Sequence, residues 1–135
     1  MRDMLRDQML RFIHTEWMKV AKRPDNDPLM GTPPSEITIF EFAEVEFSKA
    51  RCTGDFKAVE SIDRNGKASQ PIEDDPRKLV TKYQKAFWEH AIASFHVNAE
   101  ASHAVVELVY GPRYGRGYSF EVRDGLPLGS EVWIS

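Results

Sequence analysis

Apolar residues recur at helical spacing from the start of the chain, at Leu5, Met9, Phe12, Ile13, Trp17, Val20 and Ala21, while Asp7–Arg11 and Glu16–Lys19 make i,i+4 and i,i+3 charge pairs on the wetter side. The spacing predicts a helix over 2–22. Pro24, Pro28, Pro33, Pro34 and Gly31 break it and predict a loop over 23–35, long enough to be functional or to cover something.

Strand chemistry follows over 36–70. Ile37, Ile39, Phe40, Phe42, Ala43, Val45 and Phe47 are β-branched, aromatic or small, and their alternation changes phase around Phe40, as a bulged or bent strand would require. A competing helix takes Ser35 as N-cap and Ile39, Phe40, Ala43 and Phe47 as its stripe. Phe56 to Ile62 is a second strand, Asp63-Arg64-Asn65-Gly66 a tight turn, and 67–70 a short third strand. Asp75 then caps a helix with Pro76 at its first position, and Leu79, Val80, Tyr83, Ala86, Phe87, Ala91 and Phe95 form a broad stripe predicting a helix over 75–96. Trp88 and Ile92 widen that stripe, so the helix is expected to be covered on two sides.

The segment 102–135 alternates with period two. Ala104, Val106, Leu108 and Tyr110 share one face, and Arg116, Tyr118, Phe120 and Val122 share one on the next strand. Pairing Val106 with Phe120 and Leu108 with Tyr118 keeps the apolar faces together and sets Glu107 across from Ser119 and His103 across from Arg123. Asp124-Gly125 turns the chain, and 131–135 ends it as a short strand with Val132 and Ile134 on one side and Trp133 on the other.

The expected architecture is a single α+β domain over 1–135, a curved antiparallel sheet of five to six strands with two main helices packed on one face. In element order and length, over most of the chain and without a shared motif, it resembles the NTF2-like and cystatin-like cone folds, in which a bent sheet wraps a helix. The usual pair of consecutive N-terminal helices is missing from this pattern. The resemblance implies a pocket between sheet and helix and assigns no site residue.

The chain has 135 residues, with hydrophobic residues at 41% and charged residues at 29%, the composition of an ordinary globular domain. Its 21 acidic side chains against 18 basic ones disfavour a phosphate-tracking surface, so nucleic acid is not the expected partner. A lone Cys52 excludes an intrachain disulfide, and with no secretory leader in view the expected home is the reducing cytoplasm; no apolar run is long enough for a membrane span.

Tyr110, Arg113, Tyr114, Arg116 and Tyr118, interleaved with glycines, combine the residue types that dominate protein-binding hot spots, and with Trp133 they form the candidate partner-binding set. The chemistry-bearing alternative is a polar sheet face carrying His103, Glu107, Glu121 and Arg123, where a carboxylate and an imidazole facing one cavity could share acid and base roles. His14 and His90 read as helix residues. His96, Asn98, Glu100 and His103 match no zinc spacing, and Cys52 has no adjacent base, so neither metal, cofactor nor catalytic nucleophile is assigned. Phosphate-loop, dinucleotide and serine-elbow motifs are absent. The leading expectation is a non-enzymatic binding or inhibitor protein that docks on a protein partner, like bacterial toxin-immunity proteins in size and charge, with a homodimer through spare apolar surface on the second helix. The alternative is an NTF2-like small-molecule binder or a lyase/isomerase-type enzyme with a pocket between sheet and helix.

Overall fold

The computed structural model describes residues 2–22, 34–71, 74–78, 90–111 and 114–134, with Arg2, Gly111 and Tyr114 described by backbone alone. Its elements are α1 (Arg2–Ala21), β1 (Glu36–Phe42), α2 (Phe47–Thr53), β2 (Phe56–Asp63), β3 (Ala68–Ser69), β4 (His90–Val97), β5 (His103–Gly111), β6 (Tyr114–Arg123) and β7 (Leu126–Ile134). The class is α+β. The seven strands form one mixed sheet in the order β3-β2-β1-β4-β5-β6-β7, antiparallel throughout except where β1 and β4 run parallel.

Several expectations change, beginning with the sheet, which has seven strands instead of five to six and is mixed instead of antiparallel throughout because β1 and β4 run parallel. Residues 90–96 lie in β4, an inner strand, not in the helix predicted over 75–96; residues 79–89 of that prediction, Trp88 included, lie outside the described residues. Only its opening is described: residues 76–78 are helical, and Asp75 caps them by accepting from the Arg77 backbone N–H at 2.9 Å. The run His90-Ala91-Ile92-Ala93-Ser94-Phe95 is buried on both faces. A strand covered on both sides shows no alternation, so its apolar residues fit a helical stripe equally well. Likewise 36–51 is neither all strand nor all helix: β1 ends at Phe42, and α2 begins at Phe47.

A helix not expected from the sequence, α2, sits on the opposite face of the sheet from α1, so the described helices do not share one face. On the first face, α1 lies over β4 and β5, burying Met9, Ile13 and Trp17 against Ile37, Ile39, Phe95 and Leu108, with small Ala91, Ala93 and Ala104 beneath. Phe12 makes edge-on contacts with Tyr118 and Phe120 of β6, at centroid distances of 4.8 and 5.0 Å. The Trp17 indole N–H donates to Asp63 O at 2.9 Å, tying the last turns of α1 to the end of β2. On the second face, α2 buries Phe47 and Ala50 against Phe40, Phe42 and Ile92.

The phase change around Phe40 has its counterpart across the ladder. Ile39 pairs with Glu60 but Phe40 with Ala58, so the extra residue is Val59 of β2, and β1 itself keeps strict alternation. The turn after β2 closes with Gly66 at φ 83°, while the Asp63 carboxylate accepts from the Asn65 and Lys67 N–H groups. The β5–β6 register differs by two residues from the expected one: Val106 pairs with Tyr118 and Ala104 with Phe120. A shift of two leaves every side chain on its face, so hydrophobic patterning cannot distinguish the two registers. Asp124 and Gly125, both at positive φ, make the two-residue turn into β7, which is nine residues long and not the short strand expected.

Among the described carboxylate, lysine and arginine side chains, Glu41 is the most enclosed, its side chain 8% exposed, with Arg6 at 3.0 Å and Lys57 at 3.4 Å. Burial pushes its carboxyl up, but the hydrogen bond and charge of Arg6 together with Lys57 outweigh that and hold it below its ordinary value. A depressed folded-state pKa adds stability above the unfolded value, near 4.5, and loses it as pH falls through the folded one. Glu41→Gln is expected to lower the unfolding free energy by about 1 kcal/mol at neutral pH, Lys57 being open to solvent, and the difference should shrink as pH falls below the ordinary carboxylate value and through the lower folded-state one; urea unfolding along a falling pH series measures it. Ala93→Leu separates strand from helix. Under α1 it overpacks the core and should cost about 1–3 kcal/mol, whereas outside the stripe of a 75–96 helix it would be near neutral; thermal unfolding decides.

Candidate interaction surface

The six partner-binding candidates do not form one cluster. Tyr110 is in the core beneath α1, 6% exposed. Tyr118 is half-buried beside Phe12 on that same face, and burial, opposed by the hydrogen bond and charge of Arg116, raises its phenol above the ordinary value. Arg116 is on this side too, 3.4 Å from Glu131. Trp133 lies on the opposite face, while Arg113 and the Tyr114 side chain fall outside the described residues.

Trp133 explains the glycines of this segment. Its indole lies flat over Gly115 and Gly117 of β6, and a Cβ at either position would overlap the ring. The glycines are the floor on which an aromatic from the next strand rests, a way of covering bare backbone in a sheet. Val132 is the extra residue in β7, since Gly117 pairs with Trp133 and Tyr118 with Glu131. That bulge brings Val132 and Trp133 to the same side, contrary to the alternation expected for them, and together they wall one side of a groove.

The groove, about 320 Å³, runs over the open sheet face between α2 and β7, floored by Val105, Glu107 and Gly117 and walled on the α2 side by Phe47 and Arg51. Arg51 lies 3.5 Å from Glu107 and over the Phe42 ring at 5.4 Å. Around it the surface is unusually apolar: Val45, Leu126, Leu128 and Val132 are each more than half exposed, and Trp133 is 38% exposed, while Ile134, opposite Arg116, is exposed on the α1 side. A second hollow, about 720 Å³, lies beside β2 between Lys57, Gln70, Asp74 and Arg77, with Arg77 and Asp75 paired at 2.6 Å.

The four acid–base candidates share this sheet face but do not converge. His103 binds Ser119 Oγ at 2.8 Å and stands opposite Glu121, which pairs with Arg123 at 3.0 Å in solvent. Glu107, four residues along β5 and so about 13 Å away, is held by Arg51. His96 is anchored to Phe42 O at 2.8 Å, and Asn98 organises the β4–β5 turn by accepting from Ser102 and His103 N–H. Among the described residues no three His, Cys, Asp or Glu side chains are grouped to hold a metal ion. Cys52 is exposed on α2.

The polar group that sequence reasoning missed is buried. Ser61 Oγ, Thr38 Oγ1 and His90 Nε2 form a chain with steps of 2.7 and 2.6 Å, and His90 Nδ1 lies 3.5 Å from Glu36 Oε1. Burial, then the neighbouring Asp63 charge, raises the Glu36 carboxyl above its ordinary value. Hydroxyl, imidazole and carboxylate in series satisfy one another across β2, β1 and β4, with Thr38 and Ser61 sealed from solvent. The available signal was Thr38 between Ile37 and Ile39: a hydroxyl inside an apolar run requires a partner.

Comparison with protein-family models, with curated proteins and with solved structures finds no match. No described helix is long and apolar enough to cross a membrane.

The Trp133 arrangement is tested by Gly117→Val, which is expected to displace the indole. Iodide quenching of the Trp133 emission, isolated by subtracting a Trp133→Phe variant, should rise; unchanged quenching would mean that the ring does not rest on Gly117.

Proposed function

We propose that this chain is a non-enzymatic binding protein that docks on a protein partner through the α2–β7 groove. The observation that carries this reading is the exposed apolar rim around a fixed aromatic: Trp133 pinned over Gly115 and Gly117, beside exposed Val132 and the Arg51–Glu107 pair. An aromatic and an arginine among apolar neighbours are the makings of a hot spot, and contiguous exposed apolar surface marks interaction sites. The acidic excess of three charges suits a basic protein partner, as for a small inhibitor of the immunity type. The dispersal of His103, Glu107 and Glu121, each held by a different neighbour, supports a binding role over acid–base chemistry.

The test is affinity capture from the native lysate with wild-type and Trp133→Ala baits. A stoichiometric protein recovered by the wild type and weakened about thirtyfold or more by the variant, at unchanged thermal stability, is the expected result. Recovery of no partner, or of one indifferent to Trp133 and Val132→Asp, removes the reading.

The alternative, a small-molecule binder or lyase/isomerase-type enzyme, draws on the Glu36–His90–Thr38–Ser61 chain, where an imidazole and a carboxylate are buried together. It requires a small ligand that raises the melting temperature of the wild type but not of His90→Gln.

A further inference from the structure

The two edges of the sheet are unequal. β3 is two residues long, while β7 is nine residues long with no strand on its outer side among the described residues. A long, apolar, unpaired edge is a template for another strand. We infer that β7 pairs antiparallel with β7 of a second copy of this chain, joining two sheets about a two-fold axis at Gly129. This goes beyond the groove reading and does not rest on it.

The register follows from the backbone. Val122 N–H donates to Ser102 O, away from β7, and Val122 stands opposite Pro127. Antiparallel pairs alternate between those that exchange hydrogen bonds and those that do not, so Leu126, Leu128 and Ser130 bond β6 while Pro127, Gly129 and Glu131 turn their backbone groups outward. Pro127 offers only its carbonyl. With the axis at Gly129, the two Gly129 residues exchange both bonds, and each Glu131 N–H meets the other copy's Pro127 carbonyl. Every outward N–H of this stretch is satisfied, and the bulge at Val132 ends the ladder. An axis at Glu131 would oppose two carboxylates, and one at Pro127 would oppose two residues without N–H.

Side chains agree with this register. On the groove side Leu126 meets Val132 of the second copy and Leu128 meets its Ser130, so that exposed apolar residues of both copies form one strip. Leu126, Leu128 and Val132, each more than half exposed, are the apolar side chains of β7 that this pairing brings into contact. Because the same edge serves both copies and β3 is too short to accept a third, the assembly closes as a dimer.

Light scattering at tens of micromolar is expected to give twice the 15.5 kDa chain mass. Leu126→Lys with Leu128→Lys, both at exposed positions, should weaken association on the order of a hundredfold, with circular dichroism unchanged. In a Cys52→Ser background, Leu128→Cys with Ser130→Cys should cross-link two copies on mild oxidation, because a non-hydrogen-bonded pair sets Cα atoms about 4.5 Å apart, within disulfide reach. Leu126→Cys with Ser130→Cys, out of register, should not. A monomer at all concentrations, a dimer indifferent to the lysines, an assembly larger than two, or equal cross-linking of both cysteine pairs would overturn the inference.

Discussion

The parallel contact between β1 and β4 is the constraint from which the rest of the structure follows. Parallel neighbours cannot be joined by a tight turn, so α2, β2 and β3 intervene in the chain before β4, with β2 and β3 on one side of β1 and β4 on the other. Both strands are then interior, and both of their faces must be covered. Phe40, Phe42 and Ile92 on one face call for α2, and Ile37, Ile39, Ala93 and Phe95 on the other call for α1. Polar side chains caught at this joint have no access to water and can persist only by satisfying one another, as Ser61, Thr38, His90 and Glu36 do.

From that centre outward the sheet becomes progressively less covered. α1 reaches β6 through Phe12 but leaves β7 uncovered, and α2, seven residues long, protects the second face over β2, β1, β4 and part of β5. The open remainder of that face is therefore where apolar side chains meet solvent. Trp133 folds back over the glycines of β6 and shields backbone that neither α1 nor α2 reaches, and the bulge at Val132 turns an additional apolar side chain to the same side. The groove is the gap left between a short helix and a long strand, and its character is set by packing geometry more than by any motif.

Two bulges shape this surface by one mechanism. Val59 in β2 and Val132 in β7 each insert a residue opposite an unbroken neighbour, reversing which side chains face which layer. In β2 the reversal lets Phe56 and Ala58 face α2 while Val59 and Ile62 face α1; in β7 it makes Val132 and Trp133 neighbours on one face.

Much of this was legible along the chain. The period-3.6 stripe of α1, the alternation of β5 and β6, the Asp75-Pro76 helix start and the Asp63–Gly66 and Asp124-Gly125 turns are local: each rests on side-chain periodicity or on backbone conformations that few residues accept, and neighbouring residues are enough to specify them. Tertiary structure decided the others. Whether Ala91, Ile92 and Phe95 form a helix or a strand depends on burial from both sides, which local sequence does not encode; the β5–β6 register depends on a shift of two residues to which facial alternation is blind; and the separation of Tyr110 from Trp133 onto opposite faces, like the meeting of Glu36, Thr38, Ser61 and His90, depends on strand order across the sheet. Periodicity specifies which side of an element is apolar, and only the packed sheet specifies what that side meets.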